Sequence, residues 1–141
     1  MSTAKVINIV HPSGSTTNIV NDNAGNITVG AAVSDSKGEL RTVPVNSQTT
    51  GYTVVAGDSG KFISITTGGV TLATTTAFTT GQSVSIYNNS GSSQTITQGT
   101  SVTIRQVGTA NTGNRTLAQY GLATLLCVGS NTYVITGGGV S

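Results

Sequence analysis

The sequence predicts an all-β protein, an antiparallel, jelly-roll-like β-sandwich preceded by an extended N-terminal β arm. Three observations carry that expectation. Apolar residues come in short runs that alternate with Ser and Thr, as in Ser83-Val84-Ser85-Ile86-Tyr87, which is the two-residue period of a strand with one face in a core and one in water. The runs are separated by Gly- and Asn-rich clusters at the regular spacing of a sandwich or barrel. No segment sustains a 3.6-residue apolar period, and the abundant Thr and Val are poor helix formers.

In chain order, Val6 to Val33 reads as the extended N-terminal element. Asn8-Ile9-Val10 recurs as Asn18-Ile19-Val20 around the turn-forming His11-Pro12-Ser13-Gly14-Ser15, giving a hairpin or a wound arm. A second turn, Asn23-Ala24-Gly25-Asn26, leads into Ile27-Thr28-Val29-Gly30. Residues 34 to 50 hold Asp35, Lys37, Glu39 and Arg41, four of the ten charges, and are expected to be a solvated linker or strap. The domains are therefore drawn as 1–50, arm and linker, and 51–141, the sandwich. Strands are expected at Tyr52 to Val55, Lys61 to Thr66, Val70 to Leu72, Ser83 to Tyr87, Gln94 to Thr97, Ser101 to Arg105, Arg115 to Ala118, Leu122 to Val128 and Thr132 to Thr136. Between them, Gly57-Asp58-Ser59-Gly60, Asn88-Asn89-Ser90-Gly91 and Gly129-Ser130-Asn131 supply residues that accept the positive φ of tight turns.

In Leu122-Ala123-Thr124-Leu125-Leu126-Cys127-Val128 the alternation disappears, so this strand is expected to be covered on both faces. A sandwich covers one face of each strand, and the second cover is the N-terminal arm or a neighbouring subunit. The subunit is the reading taken here, with Leu122, Thr124, Leu125, Leu126 and Val128 as the interface. The apolar residues of the arm, Val6, Ile7, Ile9, Val10, Ile19 and Val20, are then free to engage other chains.

Only 7% of the 141 residues are charged, against roughly a quarter in an average domain. With one His, one Cys and no Trp, the chain is poor in acids, bases and metal ligands, and neither an enzyme, a cofactor nor a metal site is expected. Gly57-Asp58-Ser59-Gly60 has the form of a serine-protease nucleophile string, but His11 is the only base and lies in the arm, so the string reads as a turn with Ser59 inert. Gly60-Lys61 ends like a phosphate-binding loop, yet Val55 stands where the first Gly belongs and Phe62 where the hydroxyl belongs. The sequons at Asn26, Asn88 and Asn114 read as turn asparagines. Lys5, Lys37, Arg41, Lys61, Arg105 and Arg115 are too dispersed for a nucleic-acid surface. The longest apolar stretch is far short of a membrane span, and no export signal is visible. Cys127 reads as a small buried hydrophobe in a chain made in a reducing cytoplasm. Tyr52, Tyr87, Tyr120 and Tyr133 form a candidate aromatic platform for sugars, weighed against half-buried strand residues.

The segments Gly51 to Lys61, Ser83 to Thr97, with Tyr87-Asn88-Asn89-Ser90-Gly91, and Gly113-Asn114-Arg115-Thr116-Leu117-Ala118 through Cys127 resemble the C-terminal β-rich domains of tailed-phage virion proteins. The likeness covers about residues 51 to 138. Ile9 to Ser15 and Asn23 to Gly30 resemble the short β segments that precede such domains. No long repetitive shaft or tail-attachment domain accompanies them. The resemblance implies a homotrimeric structural protein on the virion surface, expected here to be a cement protein that decorates the head, its arm gripping the major capsid protein. The rivals are a short tail fibre or tailspike tip that binds a receptor such as a host-surface glycan, and a polysaccharide-acting enzyme. The enzyme would need two carboxylates about 5 to 9.5 Å apart, and only Asp58 lies in the main domain.

Overall fold

The computed structural model describes the backbone of residues 19–21, 27–29, 34–35 and 38–39 and the whole of residues 42–141. The chain divides into two units, Met1–Thr42 and Val43–Ser141. In the first, β1 (Ile19–Asn21) pairs antiparallel with β2 (Ile27–Val29), and β3 (Ser34–Asp35) pairs with β4 (Gly38–Glu39). Ile19 is in register with Val29, and Val20 with Thr28. Val6, Ile7, Ile9 and Val10 lie outside the described residues.

The second unit is one nine-stranded sheet: β5 (Val45–Gln48), β6 (Tyr52–Thr53), β7 (Phe62–Ile65), β8 (Val70–Leu72), β9 (Ser83–Asn88), β10 (Gln94–Gln98), β11 (Thr103–Gln106), β12 (Arg115–Gly129) and β13 (Thr132–Val140). The all-β expectation holds. The connectivity differs from the antiparallel sandwich that was expected, because the turns do not fold successive strands back as hairpins. Each of β5 to β8 pairs, in parallel, with the strand two places later, so β5-β7-β9 and β6-β8-β10 are two parallel ladders wound by one chain. Val45–Gln48, expected in the solvated linker, forms the first strand of one ladder.

The ladders share one core. On one, Asn46, Ile63 and Ile86 are in register, and on the other, Tyr52, Val70 and Ile96. Ile63, Ile65, Val84, Ile86, Val70, Leu72 and Ile96 are all buried together, each such side chain contributing about 1.5–3 kcal/mol. The turns stack as the strands do. Gly68 and Gly69 have φ of +84° and +69°, and a Cβ would collide with the backbone of Gly51 in the adjacent turn at the first and of Thr95 in β10 at the second.

β12 closes the stack. Its start pairs antiparallel with β10 through Arg115 to Leu117, and its later part pairs with β9 through Leu122 to Leu126. Two expected strands, Arg115 to Ala118 and Leu122 to Val128, are thus one strand with an irregularity between Leu117 and Leu122. β13 runs antiparallel along it, and β11 adds parallel to β13. Ala123 continues the Asn46, Ile63, Ile86 row and is in register with Gly137. At Gly137, with φ +152°, a Cβ would collide with Leu122 O.

Two substitutions test this packing. Gly137→Ala is expected to lower stability by about 2–4 kcal/mol, because β13 must move off β12 to admit the methyl. Arg115 continues the Tyr52, Val70, Ile96 row inward, is 9% exposed, and leaves Nε and Nη2 buried without a hydrogen bond. Replacing a poorly compensated buried charge with an apolar side chain of similar length is favourable, so Arg115→Met should raise stability by about 1–4 kcal/mol in denaturant unfolding.

Candidate functional site

The alternation hidden in the sequence of β12 is present in its structure, with apolar residues in both sets. Ala123, Leu125 and Cys127 point into the core. Leu122, Leu126 and Val128 point the other way and are 50%, 39% and 44% exposed. Thr124 shares their side, half-buried, with its hydroxyl 3.0 Å from that of Ser85. The strand expected to be covered on both faces is covered on one by the described residues. Leu125 is corrected: it belongs to the protein's own core and is not available to a partner. No charged residue occurs from 116 to 141 or from 82 to 88, so this outer surface of β9, β12 and β13 is uncharged.

Gly57-Asp58-Ser59-Gly60 forms the turn that was expected, a 3₁₀ turn over Ala56–Asp58 followed by Gly60 at φ +79°. The sequence did not show that Asp58 is buried. Its carboxylate accepts from Asn46 Nδ2 at 2.9 Å, Tyr52 Oη at 2.8 Å and the Val55 N–H at 3.0 Å, and Gln48 Nε2 donates onward to Asn46 Oδ1 at 2.6 Å. These residues are the inward side of the first rung, β5 and β6, where the core reaches the end of the stack. The network seals that end with satisfied polar groups. Burial, and the hydrogen bond to the Asp58 carboxylate, raise the Tyr52 phenol above its ordinary 10.0. His11, the only imidazole, lies outside the described residues, and nothing places a base at Ser59.

The four tyrosines do not form one platform. Tyr133 is in the core, its ring edge-on to Phe78 at 6.2 Å, and burial raises its phenol as well. Tyr52 is committed to Asp58, Tyr87 is half-buried, and Tyr120 is exposed. Cys127 is a free, buried thiol 3.4 Å from Phe78 O and 3.2 Å from Gly129 O. Among the described residues no group of His, Cys, Asp and Glu is arranged to hold a metal, and no helix is long and apolar enough to cross a membrane. No family model, curated protein or solved structure matches the chain.

The Tyr52–Asp58 pair gives a signed pH dependence. A phenol whose folded value is raised stabilises the fold fully below its unfolded value of 10.0, and that contribution is lost as pH rises above it. The melting temperature should therefore fall on the alkaline side, and less steeply in Tyr52→Phe. Asp58→Ala, which strands three donors, should cost about 2–4 kcal/mol at neutral pH.

Proposed function

We propose that this chain is a non-enzymatic structural protein of a tailed-phage virion surface, assembled as a homotrimer. The observation that carries the reading is the outward row Leu122, Leu126 and Val128 on a sheet surface whose strands β9, β12 and β13 carry no charge, with the exposed Arg105 of β11 at its margin, in register with Val134 and through it with Leu126. Apolar side chains in a row, with one charge at the margin, favour a partner surface of the same kind, and a second copy of this face is such a partner. A closed ring of copies covers the row on every member and leaves no face to propagate. In this reading the two ladders serve as the layers of a flattened sandwich. The first unit, residues 1–42, serves as an arm whose apolar positions, Ile19 and Val20 among them, add to the major capsid protein, and the protein cements the head.

A second placement, the end of a tail fibre, is favoured by one feature of the sheet. Its main path runs from β5 to β6, which are neighbours in sequence, so both ends of that path belong to the first rung, while β12 and β13 close the other end and β11 is a further edge beside β13. A stack open at one end and capped at the other has the form of a terminus.

Light scattering of the purified chain should give a single species of three chains. Leu126→Asp should give a folded monomer with a nearly unchanged far-ultraviolet spectrum, whereas Leu125→Asp should not fold. A wild-type monomer at micromolar concentration, or a trimeric Leu126→Asp, overturns the assembly reading. Gold-labelled antibody on intact particles decides the placement: label over the head, with particles lacking the protein rupturing at lower temperature, supports cement. Label at the tail, with particles lacking the protein robust but unable to adsorb, supports the fibre end. Absence from both sinks the virion reading.

A further inference from the structure

Tyr120 stands at the bend of β12 with φ +56° and is 62% exposed. A bulky side chain is disfavoured in that left-handed conformation, where glycine is the usual occupant. The adjoining Gly121 has no room for a side chain, since a Cβ there would come within 2.8 Å of Leu117 Cδ1 and 2.9 Å of Ala118 O and Gly138 O. The bend therefore turns Tyr120 outward, as irregularities in a strand commonly re-aim a side chain. Its N–H donates to Ser90 O at 3.3 Å, and its hydroxyl lies over Gly91, 3.6 Å from where a Cβ would stand.

The turn beneath is held rigidly. Asn88 is fully buried, and its Nδ2 donates to Ser92 O at 2.8 Å, Ala118 O at 2.8 Å and Leu117 O at 3.1 Å, tying the turn to β12. Ser90 Oγ donates to Asn88 Oδ1 at 2.7 Å, and Gln94 Nε2 donates to Ser90 Oγ at 3.2 Å. In the same turn Asn89 and Ser93, and next to Tyr120 in the strand Gln119, have exposed side chains that make no hydrogen bond among the described residues. No charged residue occurs in 87–95 or 116–124.

We infer that Tyr120 and the 89–93 turn form a binding site for a neutral saccharide. An exposed aromatic face takes the apolar face of a sugar ring, uncommitted amides and hydroxyls beside it take the sugar hydroxyls, and a rigid frame lowers the ordering cost of binding. The lack of charge disfavours phosphate, sulfate or carboxylate groups. The residues lie at the opposite end of the outer row from Leu126 and Val128, and the site does not depend on where the protein sits in a virion.

The test is retention of the full chain on a panel of immobilised oligosaccharides of neutral hexose and N-acetylhexosamine units, with sulfated and sialylated counterparts alongside. The wild type should bind at least one neutral saccharide, and Tyr120→Phe should bind within a few-fold of it. Tyr120→Gly should lose binding by about tenfold or more while melting about 2–5 °C higher, because the strained residue is replaced by one suited to its φ. A merely structural Tyr120 would give a lower melting temperature on removal. Binding to charged sugars only, no binding to any sugar, or equal binding by Tyr120→Gly overturns the site. Light scattering on the same samples separates this result from the assembly state, since a monomer that binds keeps the site and loses the trimer.

Discussion

One strand, β12, satisfies the last open edge of both ladders at once, and the rest of the second unit depends on it. Its first residues complete the ladder ending in β10, and its later residues complete the ladder ending in β9. The strand pairs with β10 along its start and with β9 along its later part, and the register shift between Leu117 and Leu122, near Tyr120 and Gly121, is where it passes from one ladder to the other. The bend carries a conformational cost at Tyr120, offset by hydrogen bonds along two ladders and by the burial of Leu117, Ala123 and Leu125. β13 then covers the remaining edge of β12, and the close approach of the two strands at Leu122 and Ala123 requires the glycine at 137.

Amides and hydroxyls take the place of charge in this protein. Gln98 Oε1 accepts from the Ile104 N–H at 2.7 Å and the Gly113 N–H at 3.0 Å, pinning the long excursion between β10 and β12. Gln94 joins the Gly69 N–H to Thr66 O, and Asn88 joins one ladder to β12. Each of these side chains satisfies backbone groups that turns leave unpaired and buried, at no cost of desolvating a full charge. Contacts made by neutral groups are not screened by salt, and the buried Asp58 and Arg115 are the exceptions to this pattern among the described residues. The low charge content of the chain is matched, at the level of packing, by this use of neutral groups.

Local periodicity made the strands legible. Ser83 to Tyr87, Val70 to Leu72 and Lys61 to Thr66 alternate so regularly that their faces are fixed without a structure, and Cys127 was placed correctly by its apolar neighbours. The pairing of those strands was not legible, because alternation states which face is buried but not which strand lies alongside. Asn46 and Gln48 look like linker residues in isolation. They are inward residues of a first rung whose role is to meet Asp58, twelve positions after Asn46, and no local signal links them. Leu125 and Leu126 show the same limit more sharply, since adjacent leucines point to opposite sides and only the register with β9 says which is core.

The two ends of the stack solve the same problem in opposite ways. At the first rung the edges are short, four and two residues, and the inward positions are polar and hydrogen-bonded, which is how sheet proteins blunt an edge that would otherwise recruit further strands. At β12 the edges are fully paired, yet the outward face keeps Leu122, Leu126 and Val128 in water. A chain that blunts one surface so thoroughly and leaves another apolar separates uncontrolled strand addition from specific association through side chains. Association through the face is limited by shape and closes when the faces are used up, whereas association through the edge has no natural end. The strained, exposed Tyr120 lies in the first of the two register shifts of β12, between Leu117 and Leu122, and its ring is turned away from the core by the same closure that gives the fold its stability.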